Sequence, residues 1–292
     1  MKTLNKFVIS ITLIMLCCCT DYLGDFPETE QKHVVNAMLC VDSTVVVDLT
    51  LSNAPKTSSF TFVPNATMDI INDKNVIPLT YDEQKGYYKS DYKLKSACDY
   101  QLNIETFDKK KLSAKAYVPR KSNLSIKQTE NNSYSLFEIK LCDIDEKINA
   151  IYIYMYEYID WTQYKPESKP HYHPAILYCK TPTVDQFNRF RDDLGPQGYI
   201  YSYDAFVRAP VEAALNQQMI LKVASMQVDR ILIIEATEEW DYYYKAAFLQ
   251  RYFDPEINLP FTYESINLPS NIDGGAGIFA GTAVHIYDVK KD

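Results

Sequence analysis

The segment 44–52 constrains the fold more than any other part of the chain. Its apolar residues recur at every second position, at Val45, Val47, Leu49 and Leu51. Asp48 and Thr50 occupy positions between them, so one face of the segment is apolar and the other carries polar groups. A period of two is typical of a half-buried β-strand.

Seven further segments of the first 119 residues read as short strands. They are 34–41, 60–63, 67–71, 76–80, 87–90, 100–107 and 112–118. Turn-forming residues such as Lys85 and Gly86 separate them. Short strands in this density, without a helical stretch, predict an antiparallel β-sandwich of immunoglobulin or transthyretin type over residues 33–119.

The second half is predicted to be a β-rich domain with a few α-helices, so the whole chain is mainly β. Residues 120–133 are polar and form the predicted linker, and residues 134–292 form the domain. Strands are predicted at 134–141, 148–159, 219–224 and 231–236, and helices at 183–194 and 237–252. On the second helix, Trp240, Tyr244 and Phe248 share the face expected to be buried.

The predicted strand 148–159 carries a row of tyrosines on one face. They are Tyr152, Tyr154, Tyr156 and Tyr158, and they alternate with aliphatic residues. One interpretation is an aromatic platform that stacks on sugar rings or on a partner protein. The other, which we favour, is a sheet face covered by another layer, because tyrosines pair well across strands without a ligand.

His171 and His173 are the best candidates for metal ligands. In an extended backbone their imidazoles point the same way, and Cys179 or Glu167 could join them. Zinc sites require at least three converging protein ligands, and no third ligand stands at a diagnostic spacing. We therefore expect surface histidines, no metal and no cofactor.

The C-terminal segment 270–281 contains four of the chain's eight glycines. A nucleotide-binding loop would need a following helix, but residues 282–287 have a strand pattern. The glycines instead predict a bulged turn where backbones approach closely.

The N-terminus has the layout of an export signal. Lys2 and Lys6 precede an apolar run, 7–16, which is followed by three cysteines. A bilayer-spanning helix needs roughly 20 residues, so the run is too short for a permanent anchor. We expect residues 1–19 to be a lipoprotein signal ending in a lipidated Cys19, with Cys18 as the next choice, and residues 20–32 to be a flexible tether. An ordinary signal peptide with incidental cysteines is the alternative.

The remaining cysteines leave two interpretations open. Cys40 could pair with Cys98 and Cys142 with Cys179, one pair in each predicted domain, or all four could be free thiols.

Composition and motifs restrict the function. The net charge of −8 disfavours nucleic-acid binding, which needs a basic surface. The chain has no GxSxG, HExxH or P-loop sequence, so an enzymatic reading finds little support.

Five segments together resemble a known family. They are 33–37, 64–68, 85–88, 239–244 and 270–281, with HVVNA first and SNIDGGAGIFAG last. In this order they resemble a Bacteroidetes outer-membrane lipoprotein family of unknown function, domain of unknown function 4249. The resemblance implies an outer-membrane lipoprotein, on the periplasmic or cell-surface face, often beside a TonB-dependent transporter. It implies a first domain similar to carboxypeptidase regulatory-like sandwiches, and no catalytic residue.

We therefore expect a lipid-anchored protein with a non-enzymatic accessory role that binds a TonB-dependent transporter, a glycan or peptide ligand, or both. A surface hydrolase acting on glycan or peptide is the alternative from another class, and a structural spacer is the third.

Acylation should depend on one cysteine. Cys19→Ala removes the thiol that would be acylated at the end of the lipoprotein signal. Mass spectrometry of the membrane fraction should therefore find no diacylglyceryl-modified N-terminus at residue 19. Cys142→Ala, far from the signal, should be acylated like the wild type. If acylation is retained in Cys19→Ala but lost in Cys18→Ala, the acylated residue is Cys18 instead.

Overall fold

A computed structural model describes residues 31–52, 61–73, 75–131, 133–160, 162, 169–180, 190–191, 199–202, 206–213, 217–252 and 268–289. The predicted signal with Cys18 and Cys19, and the tether up to residue 30, lie outside the described residues.

The eight strands predicted for the first half are confirmed. They are β1 (His33–Cys40), β2 (Thr44–Leu51), β3 (Thr61–Phe62), β4 (Thr67–Asn72), β5 (Asn75–Asp82), β6 (Tyr87–Lys93), β7 (Cys98–Glu105) and β8 (Lys111–Val118). Val45, Val47 and Leu49 are buried, as the period of two predicts. Positive backbone φ angles occur at turn residues such as Asp42 and Gly86.

The second half adds eleven strands and one α-helix to the part of the chain that the structure describes. The strands are β9 (Asn123–Asn131), β10 (Tyr134–Cys142), β11 (Ile148–Ile159), β12 (His171–Pro174), β13 (Leu177–Cys179), β14 (Phe190–Arg191), β15 (Ile200–Ser202), β16 (Phe206–Pro210), β17 (Met219–Ser225), β18 (Arg230–Thr237) and β19 (Ala276–Asp288). The helix α1 (Glu238–Tyr252) follows β18 directly, and a 3-10 turn spans Val211–Ala213.

Two segments differ from the sequence-based expectation. The segment expected to be a polar linker contains β9, which pairs with β10 along its whole length. In the first predicted helix, 183–194, the two described residues Phe190 and Arg191 lie in a strand paired with β15, and the others lie outside the described residues. The helix predicted at 237–252 is confirmed as α1.

The described strands form two sheets. The larger has the order β12-β11-β18-β19-β1-β2-β6-β5-β4-β7-β8, with β16 paired to β11 and β3 to β2. The smaller has the order β14-β15-β13-β17-β10-β9. The mainly β, sandwich-like fold is thus confirmed. Within the larger sheet, β1 and β19 pair in parallel, which a purely antiparallel sandwich does not include.

Strand β19 belongs to both halves of the fold. Its residues 276–282 pair with β1, and its residues 282–288 pair with β18. Phe279 and Ala283 lie in the core of the first half with Val35 and Val47, whereas Tyr287 packs against the core between β10, β11, β17 and β18. One strand therefore contributes to two cores.

Glycines allow β19 to approach its neighbours closely. A Cβ on Gly277 would lie 2.0 Å from the carbonyl oxygen of Val35, and one on Gly281 would lie 1.8 Å from that of Tyr117. The φ angle of Gly277 is +107°, a conformation that L residues avoid. The predicted close backbone approach in this segment is confirmed.

Cys40, Cys98, Cys142 and Cys179 are free thiols, so neither disulfide considered from the sequence is formed. Cys179 lies in the core of the second half, and burial raises the pKa of its thiol to about 12.

Adding one methyl group at Gly281 should be much more destabilising than adding one at Gly86. The methyl of Gly281→Ala would meet the backbone of Tyr117, which cannot move aside without breaking the sheet, so the free energy of unfolding should fall by about 3 kcal/mol or more. In Gly86→Ala the methyl meets only the side chain of Phe62, and the positive φ costs about 1–2 kcal/mol. Urea denaturation measures both, and equal losses would contradict the tight packing of β19 against β8.

Candidate binding surface

The tyrosine face of β11 is divided by helix α1. Tyr152 is fully buried, and its ring lies edge-on to those of Trp240 and Tyr244, with centroids 5.0 and 5.2 Å apart. The hydroxyl of Tyr154 donates a hydrogen bond of 2.7 Å to that of Tyr244. The inner half of the tyrosine row is therefore a sheet face covered by another layer.

A buried ion pair holds α1 on the sheet. Arg208 donates two hydrogen bonds of 2.7 Å to Asp241, one to each carboxylate oxygen. Tyr152 and Asn149 each donate a further bond of 2.6 Å. Both charged side chains are almost inaccessible, at 5% for Arg208 and 0% for Asp241. A paired and fully hydrogen-bonded charge is the form in which a fold can bury ionic groups.

The environment of Asp241 favours its ionised form. Burial acts to raise the pKa of the carboxyl. This effect is outweighed by the hydrogen bonds that Arg208, Tyr152 and Asn149 donate and by the positive charge of Arg208. The pKa of Asp241 is therefore held below its usual value. Burial also raises the pKa of Tyr152, which stays a donor. Sequence reasoning identified Asp241 only as an acid in the first turn of a helix and missed its ion pair. The feature that could have revealed the pair is the position of Arg208 in the otherwise apolar strand FVRAP.

The outer half of the row carries exposed aromatic rings. Tyr158 lies opposite Tyr172 on β12, with ring centroids 5.5 Å apart. The guanidinium of Arg230 lies 4.1 Å from the centroid of the Tyr172 ring, within cation–π distance. Arg230 also donates a hydrogen bond of 2.7 Å to Asp288. We name Tyr158, Tyr172 and Arg230 the aromatic patch.

The aromatic patch is accessible and held in place. Tyr158 is 45% exposed and Tyr172 is 40% exposed, and both sit in paired strands. Tyr156 is partly buried and stacks on Tyr154 at 6.3 Å, linking the patch to the covered half. Tyrosine and arginine are enriched at protein–protein interfaces, and flat rings also stack on apolar faces of ligands.

The two histidines flank the patch without converging on a metal. His171 and His173 lie on β12 on either side of Tyr172, so they share the opposite sheet face. The Nδ1 of His171 is 3.0 Å from the carbonyl oxygen of Lys169, and that of His173 is 2.9 Å from the carbonyl oxygen of Pro174. Cys179 is in the core, and Glu167 lies outside the described residues. Where the structure describes the chain, no group of three His, Cys, Asp or Glu residues is placed to hold a metal ion.

A polar cleft of about 340 Å³ lies where the two halves meet at the start of α1. Its charged lining residues are Asp99, Lys115, Glu146, Lys147, Glu238 and Glu239. All four carboxylates are exposed. A general acid is usually made by desolvating a carboxyl group, and this cleft does not desolvate its acids.

Sequence comparison assigns the chain to a family. The chain belongs to the family described as a domain of unknown function (DUF4249), which matches residues 20–287. The predicted membership of domain of unknown function 4249 is thereby confirmed. No curated protein matches. Among the described residues, no helix is long and apolar enough to cross a membrane.

Solved structures resemble the chain only distantly. Trypsin-activated alpha-2-macroglobulin from Escherichia coli is 12% identical, with a TM-score of 0.21, over 74% of this chain but only 15% of that one. The BSP domain of a biofilm-associated protein is 8% identical, with a TM-score of 0.18, over 91% of this chain and 62% of that one.

Removing the charge of Asp241 should lower the urea concentration at which the protein unfolds. Asp241→Asn leaves Arg208 buried without a counter-charge, which should cost about 3–5 kcal/mol of unfolding free energy. The exposed neighbour is the control, because Glu239→Gln should cost less than about 1 kcal/mol.

The same variant should alter the pH dependence of stability. The pKa of Asp241 is lower in the folded protein than in the unfolded chain, so its contribution is present at neutral pH and is lost as the pH falls below about 4. The wild type should therefore lose more unfolding free energy over that range than Asp241→Asn. Parallel pH profiles would contradict a lowered pKa.

Proposed function

We propose that this protein is a cell-envelope lipoprotein whose β-rich body binds a TonB-dependent outer-membrane transporter without catalysing a reaction. The acyl chains on Cys19, or on Cys18 as the next choice, would hold the body at the outer membrane. The observation that supports a binding role is the aromatic patch, in which two exposed tyrosines and one arginine are fixed by strand register.

The position of the patch suits contact with a partner that extends from the membrane. The tether would enter the fold at His33, and the neighbouring residue Val34 pairs with Ala276 at the start of β19. Arg230 of the patch pairs with Asp288 at the other end of β19. A strand of 13 residues is about 40 Å long, so the patch lies that far from the tether.

The rigidity of the patch supports specific binding. Association costs free energy for each side chain that must be ordered, and both tyrosines already have fixed neighbours. Tyrosine and arginine side chains are also those that most often dominate the binding energy of an interface.

The buried acids fit a binding protein better than a hydrolase. Asp241 is saturated by Arg208, Tyr152 and Asn149. Glu235 is inaccessible and accepts hydrogen bonds from Ser122, both from its backbone N–H at 3.0 Å and from its hydroxyl at 2.8 Å. Neither carboxylate is exposed to a substrate.

Site-specific crosslinking tests the proposal. A photoreactive p-benzoylphenylalanine replaces Tyr158 or Tyr172 in cells, and Phe107, which is 83% exposed in the first half of the chain, is the matched control. Irradiation should join positions 158 and 172, but not 107, to a TonB-dependent transporter identified by mass spectrometry. In parallel, Tyr158→Ala with Arg230→Ala should reduce co-purified transporter by about tenfold or more.

Adducts of equal yield at all three positions would contradict a specific interface. Reproducible adducts of another protein class at 158 and 172 would keep the surface but overturn the transporter as the partner. Crosslinks to glycan alone would favour the ligand-binding interpretation of the tyrosine row.

A further inference from the structure

A second surface lies on the other side of α1 from the aromatic patch. The helix packs over β11, β18 and β19, and beside it a groove of about 490 Å³ lies over β1 and β2. We name it the β1–β2 groove. Its main lining residues are Asn36, Met38, Val46, Asp48, Trp240 and Tyr243.

The groove has an apolar end and a polar end. At the apolar end, Met38 is 50% and Val46 is 37% exposed, and the indole N–H of Trp240 points to the Met38 sulfur at 3.1 Å. At the polar end, Asn36 lies opposite Asp48 in the strand register, and Tyr243 donates a hydrogen bond of 3.4 Å to the Asn36 side chain.

Asp48 is the only charge among the described residues that line this groove. It is half-buried, and no described residue forms an ion pair or a side-chain hydrogen bond with its carboxylate. Burial raises the pKa of this carboxyl, and among the described residues no cation opposes that effect. Asp82, by contrast, is 2.8 Å from the ammonium of Lys89. The groove therefore has a negative end that the described residues leave uncompensated.

We propose that the β1–β2 groove binds the side chain of a lysine or arginine presented by a partner protein. The cationic head would pair with Asp48 beside the ring of Tyr243, and the aliphatic stem would lie on Met38, Val46 and Trp240. A charge-assisted hydrogen bond compensates a half-buried carboxylate better than a neutral hydroxyl does, which favours a cation over a sugar. The site uses neither the lipid anchor nor the aromatic patch, so it goes beyond the proposed transporter contact.

The indole resonance of Trp240 reports on the groove. The chain has only two tryptophans, so Trp161→Phe assigns the two indole N–H signals of the intact, lipidated protein in detergent micelles. Nα-acetyl-lysine methylamide and Nα-acetyl-arginine methylamide are the probes. The norleucine analogue is the matched control, because it keeps the aliphatic stem without the charge, and methyl glucoside represents sugars.

The lysine and arginine probes should shift the Trp240 signal saturably, with a Kd of about 1 mM, as expected for ligands of this size. The norleucine analogue should bind at least about tenfold more weakly. Asp48→Asn should weaken binding of the cationic probes by about tenfold or more. Asp73→Asn, at an exposed acid in the turn between β4 and β5 that does not line the groove, should leave their affinity unchanged.

Equal binding of the lysine and norleucine probes to the wild type would overturn the proposal, and so would unchanged affinity in Asp48→Asn. A shift caused by methyl glucoside alone would assign the groove to carbohydrate instead. If Asp48→Asn does not fold, the comparison of the charged and neutral probes on the wild type decides the question. None of these outcomes depends on crosslinking at Tyr158 or Tyr172, so the two proposals fail separately.

Discussion

The fold depends on the two ladders of hydrogen bonds made by β19. This strand pairs in parallel with β1 on one edge and antiparallel with β18 on the other. Its two ends pack in different cores, so neither half can be completed without it. Glycine is required where the backbone of β19 meets the carbonyl groups of Val35 and Tyr117, because a Cβ there would overlap them. The sequence SNIDGGAGIFAG thus reflects a packing constraint.

The segment between β8 and β9, where the chain passes from the first half to the second, is held by buried carboxylates. Asp145 accepts hydrogen bonds of 3.0 Å from the hydroxyl of Tyr117 and from the backbone N–H of Arg120. Two residues further on, Ser122 donates to Glu235, which also contacts the imidazole of His285 on β19. A buried acid needs hydrogen-bond donors, and the crossing chain supplies them to Asp145 and to Oε1 of Glu235, whereas Oε2 of Glu235 has no partner among the described residues.

Local periodicity predicted the elements, whereas non-local pairing could not be predicted. The alternation at Val45, Val47 and Leu49 identifies β2, and the acids before Trp240 identify the start of α1, because each signal lies within one element. The parallel pairing of Val34 with Ala276 joins residues more than 200 positions apart, and no local pattern encodes it. β9 was hidden because its outward positions are polar, as in many edge strands. The row of tyrosines was visible, but where it becomes exposed depends on where α1 lies.

Helix α1 therefore decides which aromatic groups are available to partners. Its ion pair with Arg208 fixes it over Tyr152, which is fully buried, and Tyr154, which is partly buried, and the aromatic patch lies further along β11. The same placement brings Trp240 and Tyr243 to the edge of β1, where they form one wall of the β1–β2 groove. Because the two surfaces differ in chemistry, one aromatic and one acidic, a partner that matched both would be recognised more specifically than by either alone.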